Sequence, residues 1–216
     1  MVEDILEHWV TLSQNGKFHA ILATSSIKEA IEYYRLIKAQ SDLNITTLFD
    51  PNIDNNGAAH DKAAGLLEIV EDYNQKFGQD FTFATHAKFK KDIAARLGHK
   101  KPYAHIAKNP EQQINLLIVV DQMLTGFDSK WLNTLYLDKV IKYENIIQAF
   151  SRTNRLFNEI EKPFGTIRYY RKPHTMEQHI NRAVKLYSGD KPIALFVQRL
   201  ESNLNKLNAI FKEIAE

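Results

Sequence analysis

A strand-length run of aliphatic residues constrains the fold of this chain more than any other feature. The segment Ile114–Asp121, with the sequence INLLIVVD, is too uniformly apolar to leave one face in water. Runs of this kind are typical of strands in parallel sheets that are covered on both faces. Four other segments have the length and apolar content of buried strands: His19–Thr24, Ile45–Phe49, Thr134–Asp138 and Thr166–Tyr170.

Helical patterns separate these segments. Ser26-Ile-Lys-Glu29 has the form of a capping box, which predicts that a helix begins there. Apolar residues recur at helical spacing over residues 3–14, 61–77 and 88–97, whereas residues 81–84 could form a strand. Strands that alternate with helices predict an α/β fold with a mostly parallel sheet.

Ligands of such sheets bind where the strands end at their carboxyl edges. If the strands are parallel, the loops after Thr24, Asp121 and Asp138 should therefore lie along one rim of the sheet.

Composition excludes several classes of protein. The 216 residues include no cysteine, so disulfides and thiolate metal sites are excluded and a reducing compartment fits best. The net charge is only +2, which means that any surface for nucleic acid must be local. The acidic start lacks the pattern of a secretory signal, and no apolar run approaches the length of a membrane span. We expect a soluble cytoplasmic protein with no membrane partner.

Two arginines and a glutamine are spaced to share one side of a predicted helix. In the segment 146–157, a helical period places Gln148, Arg152 and Arg155 within a narrow arc, with Ile146 and Phe150 on the opposite side. Guanidinium groups held in line bind phosphate oxygens well. For these three residues alone, a solvated polar face is the more common explanation.

A second polar segment follows the strand 114–121. Thr125-Gly126 opens a loop that Asp128 closes, and a glycine there allows the backbone to approach a ligand. Taken alone, this pattern is more typical of a sharp turn in which the threonine and the aspartate bond to the local backbone.

The two segments together resemble the second motor domain of superfamily 2 helicases. The resemblance is most specific to the restriction (motor) subunit of type I restriction-modification enzymes. The matching stretches, within roughly residues 115–170, are LIVVDQMLTGFDSK (117–130), LNTLYLD (132–138), IQAFSRTNR (147–155) and KPFG (162–165).

This resemblance implies a three-layer RecA-like α/β fold for residues 1–173, including the N-terminal helix. Residues 174–216 would begin a C-terminal helical region, in which apolar residues recur at three- and four-residue steps from Ile193 to Ile214. That last helix would pack on the rest of the subunit or associate as a coiled coil.

By position, the resemblance also implies a nucleotide site. Arg152 and Arg155 would reach the phosphates of ATP, which is bound together with Mg²⁺ mainly by the first motor domain. Either arginine could be the arginine finger. Gln148 would help to orient the nucleotide, Asp128 would lie near it or bond to the arginines, and Gly126 would lie beside them.

The resemblance also implies that double-stranded DNA is a partner. Thr24 and Ser25 or Ser26 would donate to DNA phosphates, and Thr125 and Gly126 would grip the DNA backbone or relay between DNA and nucleotide. A local basic stretch is equally well explained by duplex contact and by a solvated helix face; its members are Lys88, Lys90, Lys91, Arg96, His99, Lys100, Lys101 and Lys108.

The sequence lacks the G-x-x-x-x-G-K-[ST] pattern and the acidic-plus-lysine pattern of the family's nuclease centre. We therefore expect a fragment that is inactive alone but acts in an ATP-dependent translocase and endonuclease with methyltransferase and specificity subunits. The alternative is a stand-alone, non-catalytic DNA- or protein-binding module with a helicase-like fold.

Overall fold

The computed structural model describes residues 1–50, 59–120, 129–142, 144–155, 157–158, 161–162 and 164–188. Within these ranges lie five strands: β1 (His19–Thr24), β2 (Ile45–Leu48), β3 (Leu116–Val120), β4 (Leu132–Asp138) and β5 (Thr166–Tyr169). The helices are α1 (Val2–Ser13), α2 (Ile27–Gln40), α3 (Ala59–Phe77), α4 (His86–Leu97), α5 (Glu144–Thr153) and α6 (Pro173–Ser188).

The five strands form one sheet in the order β2-β3-β1-β4-β5, and every neighbouring pair is parallel. Every residue of β1, β3 and β4 is buried, so both faces of the central sheet are covered. The predicted fold class, an α/β domain built on a mostly parallel sheet, is confirmed, and the strand bounds agree with the sequence to within two residues.

One ambiguous segment is resolved in favour of a helical turn. Phe83–Thr85 forms a 3-10 turn in which the Thr82 amide donates to the Thr85 hydroxyl at 2.8 Å, so residues 81–84 are not a strand. Short polar side chains that bond the local backbone favour such turns over extended structure. The strand interpretation of this stretch was wrong.

The C-terminal part of the described chain packs on the same core. Met176 and Ala183 of α6 are fully buried in the main apolar cluster. The boundary between residues 173 and 174 stays a prediction, and the predicted helix from Ile193 to Ile214 lies outside the described residues. None of the helices described between residues 2 and 188 is long and apolar enough to cross a membrane.

Helices α2 and α3 pack closely because α3 carries a glycine at their contact. A β-carbon at Gly65 would lie 2.3 Å from Cδ1 and 2.9 Å from Cγ1 of Ile31. Outside this contact the two helices are joined by ion pairs, of Arg35 with Glu68 at 2.5 Å and of Lys38 with Asp72. The small residue therefore sets the distance between the helices.

We predict that Gly65→Ala lowers the free energy of unfolding by about 1–3 kcal/mol through overpacking. This would occur although alanine favours a helix interior by about 1 kcal/mol over glycine. Because valine lacks Cδ1, Ile31→Val combined with Gly65→Ala should cost less than the sum of the two single changes. Urea unfolding of the three variants measures this, and a stabilised Gly65→Ala protein would contradict the packing argument.

Candidate functional site

The carboxyl ends of β1, β3 and β4 lie side by side, as predicted. Thr24, the last residue of β1, is in register with Val120 on one side and with Asp138 on the other. The chain leaves β1 towards β2 at one edge of the sheet and leaves β4 towards β5 at the other. The crevice between β1 and β4 is therefore the switch point at which open α/β sheets bind ligands.

The hydroxyls predicted to contact DNA at this edge are engaged within the protein. Thr24 is fully buried, and its Oγ1 lies 3.2 Å from Ser26 O and 3.3 Å from Val119 O. Ser25 Oγ donates to Asp138 O at 3.3 Å, and Ser26 Oγ caps α2 by accepting from the Glu29 amide at 3.2 Å. In this arrangement the Thr24 and Ser25 hydroxyl protons are already directed at protein carbonyls.

An arginine that the sequence pattern did not single out fills the crevice. Arg171 Nη2 donates to Glu29 Oε1 at 2.7 Å and to Asp138 Oδ2 at 3.0 Å, while Nη1 donates to Ser25 Oγ at 3.2 Å. These carboxylates raise the pKa of Arg171, with the hydrogen bond to Asp138 the largest cause. Because Arg171 lies just after β5, the rule that sites form at carboxyl edges could have drawn attention to it.

The same network fixes Tyr33. Its hydroxyl donates to Asp138 Oδ2 at 2.7 Å, and burial followed by this hydrogen bond raises the pKa of Tyr33. One guanidinium thus faces two carboxylates and a phenol that stays protonated. This network of described residues therefore braces the carboxyl edge and balances its guanidinium with two carboxylates.

Helix α5 presents Gln148 and Arg152 on one side, as predicted, but it ends at Thr153. Gln148 is exposed and Arg152 is half-buried, whereas Ile146, Ala149 and Thr153 form the buried stripe. Arg155 is exposed and lies two residues beyond the helix, so the prediction of three polar residues on a single helical arc was wrong.

The helix ends there because another segment crosses its last turn. A β-carbon on Gly165 would lie 2.3 Å from Thr153 O, so the chain at residue 165 passes directly against the end of α5. Thr153 Oγ1 turns back to donate to Phe150 O at 3.1 Å. A helical continuation to Arg155 would need the space that this crossing segment occupies.

An aromatic cluster places the loop that contains Arg155 and Phe157, called here the arginine loop, at the amino edge of the sheet. The ring of Phe157 lies 5.5 Å from Phe18, which immediately precedes β1, and 4.7 Å from Trp131, which immediately precedes β4. The ammonium groups of Lys17 and Lys130 lie 5.0 and 4.8 Å from the Phe157 ring centre. The arginine loop is therefore at the edge opposite to Ser25 and Asp138.

Several cations of the described residues gather at the amino edge. Lys17, Lys130, Arg155 and the buried Lys162 gather there, and the carboxylate that the described residues place among them is Glu161, which pairs with Lys17. His19 at the start of β1 stays neutral, because burial and then nearby positive charge lower its pKa to about 3.

The basic stretch divides into two groups. Lys88, Lys90 and Lys91 of α4 are exposed, and none of them forms an ion pair within the described ranges. Arg96, in contrast, is 2% exposed and pairs with Asp92 at 3.0 Å, so its interpretation as a DNA contact was wrong. His99 stacks on Trp131 with ring centres 3.9 Å apart, which also makes it a packing residue.

The other predicted site residues, Thr125, Gly126 and Asp128, lie outside the described residues. Among the residues that are described, no group of three histidine or carboxylate side chains is arranged to hold a metal ion.

Comparison with known proteins assigns the family. The family of type I restriction enzyme subunit R domain 3 matches residues 16–172. The type I restriction enzyme endonuclease subunit of Staphylococcus aureus (strain COL) is 35% identical over 190 residues, which cover 82% of this chain and 19% of that protein. This chain belongs to the type I restriction enzyme R subunit family.

A second relative agrees with this assignment. The endonuclease subunit of a type I restriction enzyme from Staphylococcus saprophyticus is 36% identical over 194 residues, covering 85% of this chain and 20% of that protein. The chain spans about a fifth of the length of these relatives. Domain 2 of the DEAD-box helicase Mss116p, solved bound to an RNA duplex, aligns with 93% of this chain and 59% of that chain, at 14% identity and a TM-score of 0.44.

The arginine brace of this R-subunit domain, formed by Arg171 with Glu29 and Asp138, gives a stability prediction. Arg171→Gln should lower the free energy of unfolding by about 1–3 kcal/mol, because the two carboxylates lose charged hydrogen bonds. The matched control is Arg35→Gln at an ion pair on the surface of α2 and α3, for which we expect less than about 1 kcal/mol. Equal losses in urea unfolding of the two variants would contradict a special role for the brace.

Proposed function

We propose that this domain supplies the arginine-bearing half of the ATP cleft in an ATP-dependent DNA translocase and endonuclease subunit. The observation that carries the proposal is the geometry of α5 and the loop after it. Gln148 and Arg152 project from one side of a helix whose other side is buried, and Arg155 follows on an exposed but anchored loop. The family assignment adds independent support.

The chemistry of these groups suits phosphoryl transfer. ATP and Mg²⁺, held by a first motor domain, would supply the reacting phosphate, and the guanidinium of Arg152 or Arg155 would offset the charge that develops on it. Gln148, one helical turn before Arg152, would donate to the nucleotide from the same side. Asp128 and Gly126 are proposed to adjoin this group, as the family resemblance implies.

The proposed DNA surface has two parts. Lys88, Lys90 and Lys91 provide three solvated ammonium groups on α4 for duplex phosphates. At the carboxyl edge the remaining role falls on Thr125 and on the backbone around Ser26, because the Thr24 and Ser25 hydroxyls are engaged internally. The opening and closing of this domain against the first motor domain would move the pair along double-stranded DNA.

The further partners proposed for the complete enzyme are methyltransferase and specificity subunits. A second candidate function is a non-catalytic DNA- or protein-binding module, favoured by the exposed α4 lysines alone. The two functions differ in whether Arg152 and Arg155 matter for ATP hydrolysis.

We predict that in the whole endonuclease subunit Arg152→Ala or Arg155→Ala lowers kcat for ATP by about 10³-fold or more, as the loss of an arginine finger does. The 216-residue chain alone should show no steady-state ATPase, because it lacks the phosphate-wrapping sequence pattern. Arg35→Ala, on the surface of α2, is the control and should leave kcat unchanged. Full ATPase in both the Arg152→Ala and the Arg155→Ala subunit would favour the binding module.

We also predict that replacing Lys88, Lys90 and Lys91 together by alanine lowers the affinity of the protein for duplex DNA. The affinity of this variant should also depend less steeply on salt concentration. The slope of log K against log salt should fall by about 0.9 for each phosphate that the protein no longer neutralises. The control replaces three exposed lysines elsewhere: Lys76, Lys142 and Lys185. An identical change of slope in both triple variants would show that the effect comes from the net charge of the protein and not from a DNA contact of α4.

A further inference from the structure

A buried lysine lies behind the arginine loop. Lys162 is 1% exposed, and no carboxylate of the described ranges pairs with it. Its ammonium instead donates to two backbone carbonyls, of Lys130 at 3.2 Å and of Arg155. Burial lowers the pKa of Lys162 to about 8, so keeping the charge inside the protein has a cost.

The two carbonyls belong to the two segments that carry the site. Arg155 is the second arginine of the proposed cleft, and Lys130 follows closely after the segment 121–128, which contains Thr125, Gly126 and Asp128. One ammonium therefore joins the exit of the Thr-Gly segment to the backbone of the arginine loop. A hydrophobic side chain of similar length could fill this space but could donate to neither carbonyl.

Neighbouring contacts hold Lys162 itself in place. The Glu161 carboxylate pairs with Lys17, the Glu161 backbone amide donates to Asn158 Oδ1 at 2.6 Å, and the Glu161 carbonyl accepts from the side chain of Gln14. On the other side, Gly165 rests against the end of α5 at Thr153. The backbone is thus held in place on both sides of Lys162, so the position of its ammonium group relative to the Arg155 carbonyl is fixed.

We propose that Lys162 is a positioning residue for Arg155: its ammonium fixes the loop backbone so that the guanidinium is presented towards a nucleotide bound by the neighbouring motor domain. This inference rests on the proposed function of Arg155. Lys162 touches no substrate, and its effect is transmitted through the Arg155 carbonyl. A misplacement of about 1 Å in a catalytic group can reduce a rate by about 100-fold.

The first test measures ATP hydrolysis by the whole endonuclease subunit in the presence of duplex DNA. Lys162→Met should lower kcat by about 100-fold while KM for ATP changes by less than about threefold, because the lost positioning acts on the transition state. Lys162→Arg, which keeps donors for both carbonyls, should recover at least about a tenth of the wild-type kcat. Lys76→Met, on the exposed side of α3, is the matched control and should behave as wild type.

A double variant separates positioning from general damage. If Lys162 acts through Arg155, Lys162→Met should slow the Arg155→Ala enzyme no further. An equal loss of kcat from Lys162→Met in the wild-type and Arg155→Ala backgrounds would overturn the inference. An unchanged kcat for Lys162→Met, while Arg155→Ala is slow, would overturn it as well.

The second test does not depend on ATPase. Trypsin cleaves after arginine, so the rate of cleavage at Arg155 in the 216-residue chain reports how often the loop opens. Lys162→Met should raise this rate by about tenfold relative to cleavage at Arg35. A normal cleavage rate overturns the support role. Faster cleavage together with a fully active Arg155→Ala enzyme would show that Lys162 holds the loop but would reject the proposed role of Arg155 in ATP hydrolysis.

Discussion

The pairing of β1 with a parallel strand on each side organises the molecule. Because β1 lies between β3 and β4, its last residue, Thr24, aligns with Val120 and Asp138, and its first residue lies near the start of β4. The register follows from apolar residues that are buried on both sheet faces, so a shift of one strand would move its end out of line with its neighbours. Both candidate surfaces, at opposite ends of these strands, depend on this alignment.

The described residues at the two edges of the sheet differ in their charges and in the contacts that they make. At the carboxyl edge, Arg171 is shared between Glu29 and Asp138, and the network ties the loop after β1 to the ends of β4 and β5. At the amino edge, cations gather around Phe157 and the exposed Arg155. The carboxyl edge is therefore better described as a brace that holds the strands and α2 in place.

The sequence was sufficient for the parts of this structure that local pattern controls. Short segments of apolar content and strand length predicted the five described strands, the central one as a uniformly apolar run. The Ser26–Glu29 pattern predicted the start of α2, although Glu29 bonds to the Ser25 amide and not to that of Ser26. The sequence pattern did not reveal where α5 ends, because the helix is stopped by contact with Gly165, which belongs to a later segment of the chain. The buried ammonium of Lys162 and the shared guanidinium of Arg171 were missed for the same reason, since their partners are distant in sequence and a basic residue is usually exposed.

The most direct test asks whether the α5 segment meets a nucleotide. Hydrogen–deuterium exchange of the whole endonuclease subunit, with and without ADP and aluminium fluoride as a transition-state mimic, would follow peptides covering residues 144–158. We expect slower exchange in these peptides when the mimic is bound, with unchanged exchange in peptides from α3, which lies away from the arginine loop. Unchanged exchange across residues 144–158, at a concentration of the mimic that abolishes ATP hydrolysis, would contradict a role for this segment in the ATP cleft.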